Sequence, residues 1–345
     1  MSRSETSSGR TTNGSQPVSG DQQSDRDQPV EGEHVEGGSD LPESPQAAPD
    51  PAYPGALSDG VVVAGRKRET LYFALRNPKV IGALIVVFGL LVLGLVGPAM
   101  FDHGPTDYVA APQLPPSAEY WFGTTMFGQD VFVQFVAGLR STYVVGLLGG
   151  GVAAAVGMTI GFVAGYRGGW IDELLSMLTN IVLVIPGFVV LIIINAYLGV
   201  RSVPMQALYI GLFSWPWVAR AVRAQTFSLR SRDFVDLAKL SGLPTRTVIR
   251  REVAPNMYSY LFMTFVLLFG GSILTAAALD FIGLGPTNAI SLGLMMNQAM
   301  QWSSLYLGLW WWFVPPGAGI TAIVGALYIM NVGLDEVFNP KLREM

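Results

Sequence analysis

The chain has 345 residues, half of them hydrophobic and only 13% charged, against roughly a quarter charged in an ordinary soluble domain. Its net charge of -4 hides two unlike parts: residues 1–60 hold eleven acids against three bases, and the remainder fourteen acids against eighteen bases. The absence of cysteine excludes disulfides, thiol catalysis and thiolate metal sites together. The two histidines, His34 and His103, lie far apart in polar segments and read as solvated surface side chains, not as metal ligands.

Residues 1–65 are rich in Ser, Gly, Pro, Gln and Asp and lack an apolar period. Such a segment cannot bury enough surface to offset its ordering entropy, so it reads as a disordered acidic tail. No apolar core lies near Met1, so the tail is not a signal peptide. The first apolar run then acts as an uncleaved anchor.

Residues 66–345 read as one all-α integral membrane domain. Spanning a hydrocarbon core of ~30 Å takes roughly 20 apolar helical residues. Six stretches are candidates, at about 80–101, 142–166, 174–198, 203–222, 257–279 and 309–332. The first carries no charge. The second is studded with glycine from Gly146 to Gly165; in a bilayer small residues let helix backbones approach, which predicts a span enclosed by others. The third holds Pro186-Gly187 near its middle, a predicted kink. The fourth is weaker, with Pro204, Pro216 and two tryptophans.

Basic residues set the orientation. The segments between spans alternate, and one set contains only Arg140 and Arg201 of the 21 Lys and Arg. Cytoplasmic loops carry the positive excess, which predicts six crossings with both termini inside. The external segments 102–141 and 280–308 are polar and rich in proline, glycine and aromatics. Trp302, Tyr306, Trp310, Trp311 and Trp312 read as an interfacial aromatic belt. Two polar residues are candidates for a pathway. Asp280 stands at the outer end of the fifth span, where a solvated interfacial acid is the plainer reading. Asn195 lies in the third span, where a bond to a neighbouring helix is plainer than a pore-lining role.

The internal segment 225–256 is the most informative. Phe234, Leu237, Ala238 and Ser241 recur at helical spacing, Gly242 stops that helix, and Pro244 follows it. A second short helix is predicted over about 245–253, closed by Pro255. Two short helices around a glycine turn, fringed with arginine, suit a protein groove; a pair lying on acidic headgroups is equally compatible with the physics.

This segment resembles the coupling loop of ABC-importer permeases, whose pattern is Glu-Ala-Ala, three residues, Gly, nine residues, then Ile-x-Leu-Pro. Asp236 stands for the Glu, Leu237 and Ala238 for the alanines, Gly242 for the glycine, and Pro255 falls at the family's spacing, followed by Asn256. Glu252 and Ala254 depart from the Ile and Leu positions. Phe122 to Asp130 is similar to the Gly-Thr-Asp-x-x-Gly-Arg-Asp segment of the C-type subunit of dipeptide/oligopeptide/nickel permeases, with Thr125 and Gln129 replacing an Asp and the Arg. Gly138 to Thr142, Ala164 to Glu173, Phe281 to Gly285 and Leu334 to Leu342 continue the likeness, which covers about 78–343.

The resemblance implies half of a translocation pathway, completed by a second, B-type permease subunit. It implies two cytoplasmic ATPases docked on the coupling loops (Phe234, Asp236, Leu237, Ala238, Ser241, Gly242, Leu243, Pro255 and Asn256 here) and an external binding protein that delivers substrate. Di- or oligopeptides are the expected cargo, with oligosaccharides, nickel or another small solute as alternatives. No Gly-x4-Gly-Lys-Ser/Thr phosphate loop occurs in the sequence, so ATP and magnesium are expected on the partners. No cofactor, catalytic residue or nucleic-acid partner is expected in this chain, and lipid surrounds it. The rival classes are a secondary transporter, which ordinarily needs ionisable groups at mid-membrane, and a membrane scaffold.

Overall fold

The structure is a computed structural model that describes residues 76–197 and 201–338. The predicted tail, residues 1–65, and the last residues of the Leu334–Leu342 match lie outside the described residues. The described residues are helical, with one isolated bridge between Thr124 and Asp130 and no strand. Ten of the α-helices among the described residues carry labels, in chain order. These are α1 Pro78–Val96, α2 Val131–Arg167, α3 Gly169–Val184, α4 Gly187–Tyr197, α5 Val203–Leu229, α6 Asp233–Leu240, α7 Thr245–Val248, α8 Tyr258–Leu279, α9 Leu292–Gln301 and α10 Trp310–Phe338.

Among the described residues, four helical stretches are long and apolar enough to cross a membrane: Pro78–Met100, Val131–Arg167, Tyr258–Leu284 and Trp310–Phe338. The pair α3 and α4 makes a fifth if counted as one broken span. Their outward side chains explain the assignment: Ile85, Phe88 and Leu95 on α1 and Ile329 and Val332 on α10 are exposed. Such contiguous apolar surface is not compatible with water. Helix α5, the predicted fourth span, is long enough at 27 residues but less apolar than these.

The predicted kink is present. Helix α3 ends at Val184, Ile185 adopts an extended conformation, and α4 resumes at Gly187 after a bend of 71°. Pro186 accounts for it, because it lacks an amide hydrogen and drives the preceding residue out of the helical region.

Helix α2 is the axis of the fold. Its glycines and Ala153 form a ridge at every fourth residue (149, 153, 157, 161, 165), and α5 lies directly on it. A Cβ at Gly157 would sit 2.8 Å from the Trp215 carbonyl, one at Gly161 2.7 Å from Val222 Cβ, and one at Gly165 2.6 Å from the Arg223 carbonyl. The helices therefore meet backbone to backbone, the packing small residues permit. Ion pairing adds to it: Arg223 of α5 binds Asp172 of α3 through both Nε and Nη2.

The start of α1 and the end of α10 are neighbours. Asn77 donates to the Gly333 carbonyl at 3.4 Å and to Glu336 at 3.1 Å, Lys79 pairs with Glu336, and Val80 lies against Gly333.

Candidate functional site

Helices α6 and α7 form a knob at the Arg167 end of α2. Helix α6 carries Asp233 and Asp236 in its first turn and Lys239 in its last, the arrangement that complements the helix dipole. Asp236 pairs with Lys239 at 2.8 Å, and Lys239 also donates to the Arg230 carbonyl at 3.2 Å. The helix ends on Gly242 with φ +72°. Its amide donates to the Lys239 carbonyl at 2.9 Å, and the Leu243 amide to the Ala238 carbonyl at 3.3 Å. These two bonds define a Schellman stop, which needs a left-handed residue at that position. The glycine the sequence singles out thus has a backbone reason to be there.

Pro244 precedes α7, and the chain stays helical to Asn256 through a π-turn at Ile249–Val253. The predicted stop at 253 therefore comes three residues late. Pro255 cannot donate to the carbonyl four residues back; the Ala254 amide reaches the Ile249 carbonyl instead, and Asn256 Nδ2 caps the Glu252 carbonyl at 2.6 Å. Met257, with φ -118° and ψ 17°, breaks the helix before α8.

The knob has two faces, and they divide the predicted site residues. Val235, Ala238, Val248 and Val253 are buried in one cluster with Val218 and Val222 of α5, Ala153 and Ala154 of α2, and Leu268 of α8, and Phe234 packs at its edge. Asp236, Leu237, Ser241, Gly242, Leu243, Pro255 and Asn256 are exposed. Helical spacing alone groups Leu237 and Ser241 with Phe234 and Ala238; in the structure they point the other way. Leu240, which spacing does not mark, is 84% exposed at the tip beside Leu237. The signal available for it was its position two residues before the glycine stop.

Asp280 overturns the reading of a solvated interfacial acid. It is 2% exposed, and three elements converge on it. Gln206 of α5 donates to Oδ1 at 2.6 Å, Ser291 at the N-cap of α9 donates to Oδ2, and Gly285 and Gly293 approach so closely that a Cβ on either would lie within 3 Å of it. A buried carboxylate needs such partners. Asp280 opens a π-turn, Asp280–Leu284, in which Gly283 has φ +86°, so the matched Phe281–Gly285 segment is the elbow between α8 and α9. Helix α9 itself lies within the segment 280–308, where no helix is predicted from the sequence. Asn195 is buried too, and its Nδ2 donates to the Leu191 carbonyl of its own helix at 2.8 Å, not to a neighbouring helix. Asp280 and Asn195 are not brought together with each other or with the knob.

The Phe122–Asp130 segment is a compact turn that starts α2. Thr125 Oγ1 accepts from the Phe127 and Gln129 amides at 3.1 and 3.2 Å, and Asp130 caps α2 through the Phe132 amide at 2.7 Å. A Cβ at Gly128 would lie 2.1 Å from the Ala110 carbonyl. The aromatic cluster is not all belt: Trp302, Tyr306 and Trp310 are exposed, Trp312 is core, and Trp311 donates to the Thr124 carbonyl at 3.1 Å. His103 is half-buried, with Nε2 3.6 Å from Asp130 Oδ2, so it is not the solvated side chain expected. Among the described residues no group of three or more His, Asp or Glu gathers as a metal site.

The fold and site together define a multi-pass helical membrane protein that carries a glycine-turned knob of short helices, and its relatives name the family. Residues 157–344 match the family described as binding-protein-dependent transport system inner membrane component. The dipeptide transport system permease protein DppC of Alkalihalophilus pseudofirmus is 31% identical over 301 residues, covering 87% of this chain and 97% of that protein. DppC of Bacillus subtilis is 28% identical over 270 residues (78% and 83%), and the oligopeptide transport system permease protein OppC of Mycobacterium tuberculosis 27% over 287 residues (82% and 97%). The chain belongs to this family of ABC-importer permeases.

Proposed function

We propose that the chain forms half of the translocation pathway of an ATP-driven importer of di- or oligopeptides in a prokaryotic cell membrane, paired with a B-type permease. Two ATPases would dock on the knobs, and an external binding protein would deliver the cargo. The observation that carries the reading is the two-faced knob. Its outer side offers Leu237, Leu240 and Leu243 around the Gly242 turn, and its inner side is packed into α2, α5 and α8. A push on α6 is thereby transmitted to three membrane helices at once. That couples nucleotide-driven closure to a rigid-body change of access; bond chemistry on ATP and its magnesium stays with the ATPases.

Six crossings with both termini inside fit the same reading. The contact between Asn77 and Glu336, at the start of α1 and the end of α10, supports an even number of crossings. Counting α5 and the bent pair as one span each gives six. The peptide assignment is supported by the relatives, which are named as dipeptide and oligopeptide transport permeases. It is tested by reconstituting the chain with its partner subunits and binding protein in liposomes and supplying ATP inside. Uptake of a labelled dipeptide is expected; uptake of an oligosaccharide or nickel with none of dipeptide would reassign the cargo.

A further inference from the structure

A cavity of about 270 Å³ opens between α2, α3 and α5, lined by Ile160 and Ala164, by Ser176, Thr179 and Asn180, and by Arg220 and Arg223. The two arginines differ. Arg223 is neutralised by Asp172, which also accepts from Ser176 at 3.2 Å. Arg220 is exposed and donates from Nη2 to Asn180 Oδ1 at 2.8 Å, and among the described residues no carboxylate pairs with it. The cavity mouth therefore carries one positive charge whose partner is a neutral amide, with further N–H donors in its fork.

Its surroundings say which anion fits. Met177, Ile181 and Val184, on the same helix α3 as the lining residues Thr179 and Asn180, are exposed apolar side chains. Helix α2 has 37 residues, about 55 Å of helix, well beyond a hydrocarbon core of ~30 Å. Counting roughly 20 residues inward from the exposed Arg140 reaches Ile160, so the cavity lies where the core gives way to headgroups. Trp170, exposed at the start of α3, sits at the level where interfacial tryptophans anchor.

We propose that this cavity holds the phosphate of an acidic phospholipid of the inner leaflet, bound by Arg220 and Asn180, with its acyl chains along the apolar flank of α3. A guanidinium fork matches phosphate geometry, and basic pockets between membrane helices on the cytoplasmic side take anionic headgroups. The leaflet rests on the orientation proposed above; the site itself rests on the cavity, its charge and its depth along α2.

The test uses the complete complex, with partner permease and ATPases, delipidated in neutral detergent. Phosphatidylglycerol, phosphatidylcholine or inorganic phosphate is added and bound lipid counted by native mass spectrometry. The wild type should retain phosphatidylglycerol over phosphatidylcholine, Arg220→Gln should weaken that retention roughly tenfold, and Arg220→Lys should keep part of it. Equal retention in Arg220→Gln, no headgroup preference, or displacement of the lipid by inorganic phosphate or by a dipeptide would overturn the proposal. Orientation is read separately by labelling Ser231→Cys, the sole cysteine in that variant, with an impermeant maleimide. Labelling from outside the cell overturns the inner-leaflet placement together with the orientation. Labelling from inside, with no lipid preference, overturns the site alone.

Discussion

Two Gly→Ala changes on α2 should have opposite signs. At Gly161 a Cβ would lie 2.7 Å from Val222 Cβ and 2.8 Å from the Ala219 carbonyl, where carbon atoms normally rest about 3.5–4.0 Å apart. Neither neighbour can yield easily: Val222 is fully buried and the carbonyl is backbone. Helices α2 and α5 would have to separate by roughly an ångström along their contact, and overpacking of this kind costs about 1–3 kcal/mol. At Gly151, on the same helix, nothing lies within 4 Å of the added carbon, and alanine is favoured over glycine in a helix by up to about 1 kcal/mol. Thermal midpoints of the purified variants in one lipid nanodisc composition give the comparison. Gly161→Ala should fall and Gly151→Ala should hold or rise; equal shifts in one direction would refute backbone-to-backbone packing of α2 on α5.

Three further outcomes follow from the same geometry. At Gly242 the added carbon meets open space, so only the positive φ is penalised. Gly242→Asn should keep ATPase association, while Gly242→Val should lose it with expression unchanged, because a β-branched residue cannot hold the left-handed turn. Asp280→Leu should lower the thermal midpoint by stranding Gln206 and Ser291, at about 1–3 kcal/mol for each buried group left unpaired, and Asp280→Asn by less. Pro186→Ala should reduce the 71° bend: spin labels replacing Met177 and Ile193 should move apart by about 4 Å, from helix geometry at 1.5 Å per residue, and an unchanged distance would place the cause of the bend in tertiary packing.

Features governed by local chemistry were legible in the sequence. Apolar runs marked where helices lie, although α2 begins at Val131, inside the segment 102–141 read as external; Pro186-Gly187 gave the bend and Gly242 the helix stop, because each depends on residues adjacent in the chain. The glycine ridge of α2 announced close packing but not its partner. What was not legible depends on distant residues. Nothing in the neighbourhood of Asp280 indicates that Gln206, 74 positions earlier, would donate to it, and an acid near a predicted membrane boundary reads as solvated without that partner. Helix α9 was missed because its start depends on Ser291 both capping it and holding Asp280. The faces of α6 were mixed because an eight-residue helix offers too few turns for periodicity to choose between Leu237 and Val235.

Association between the knob and an ATPase subunit tests the central claim most directly. The chain is expressed with the remaining subunits of its transporter, captured by a tag on its tail, and the bound ATPase is quantified for wild type, Leu240→Glu and Gly242→Val. Stoichiometric ATPase on the wild type, lost in both variants while the partner permease stays bound, is the predicted result. ATPase retained undiminished by both variants would contradict the knob as the point of coupling.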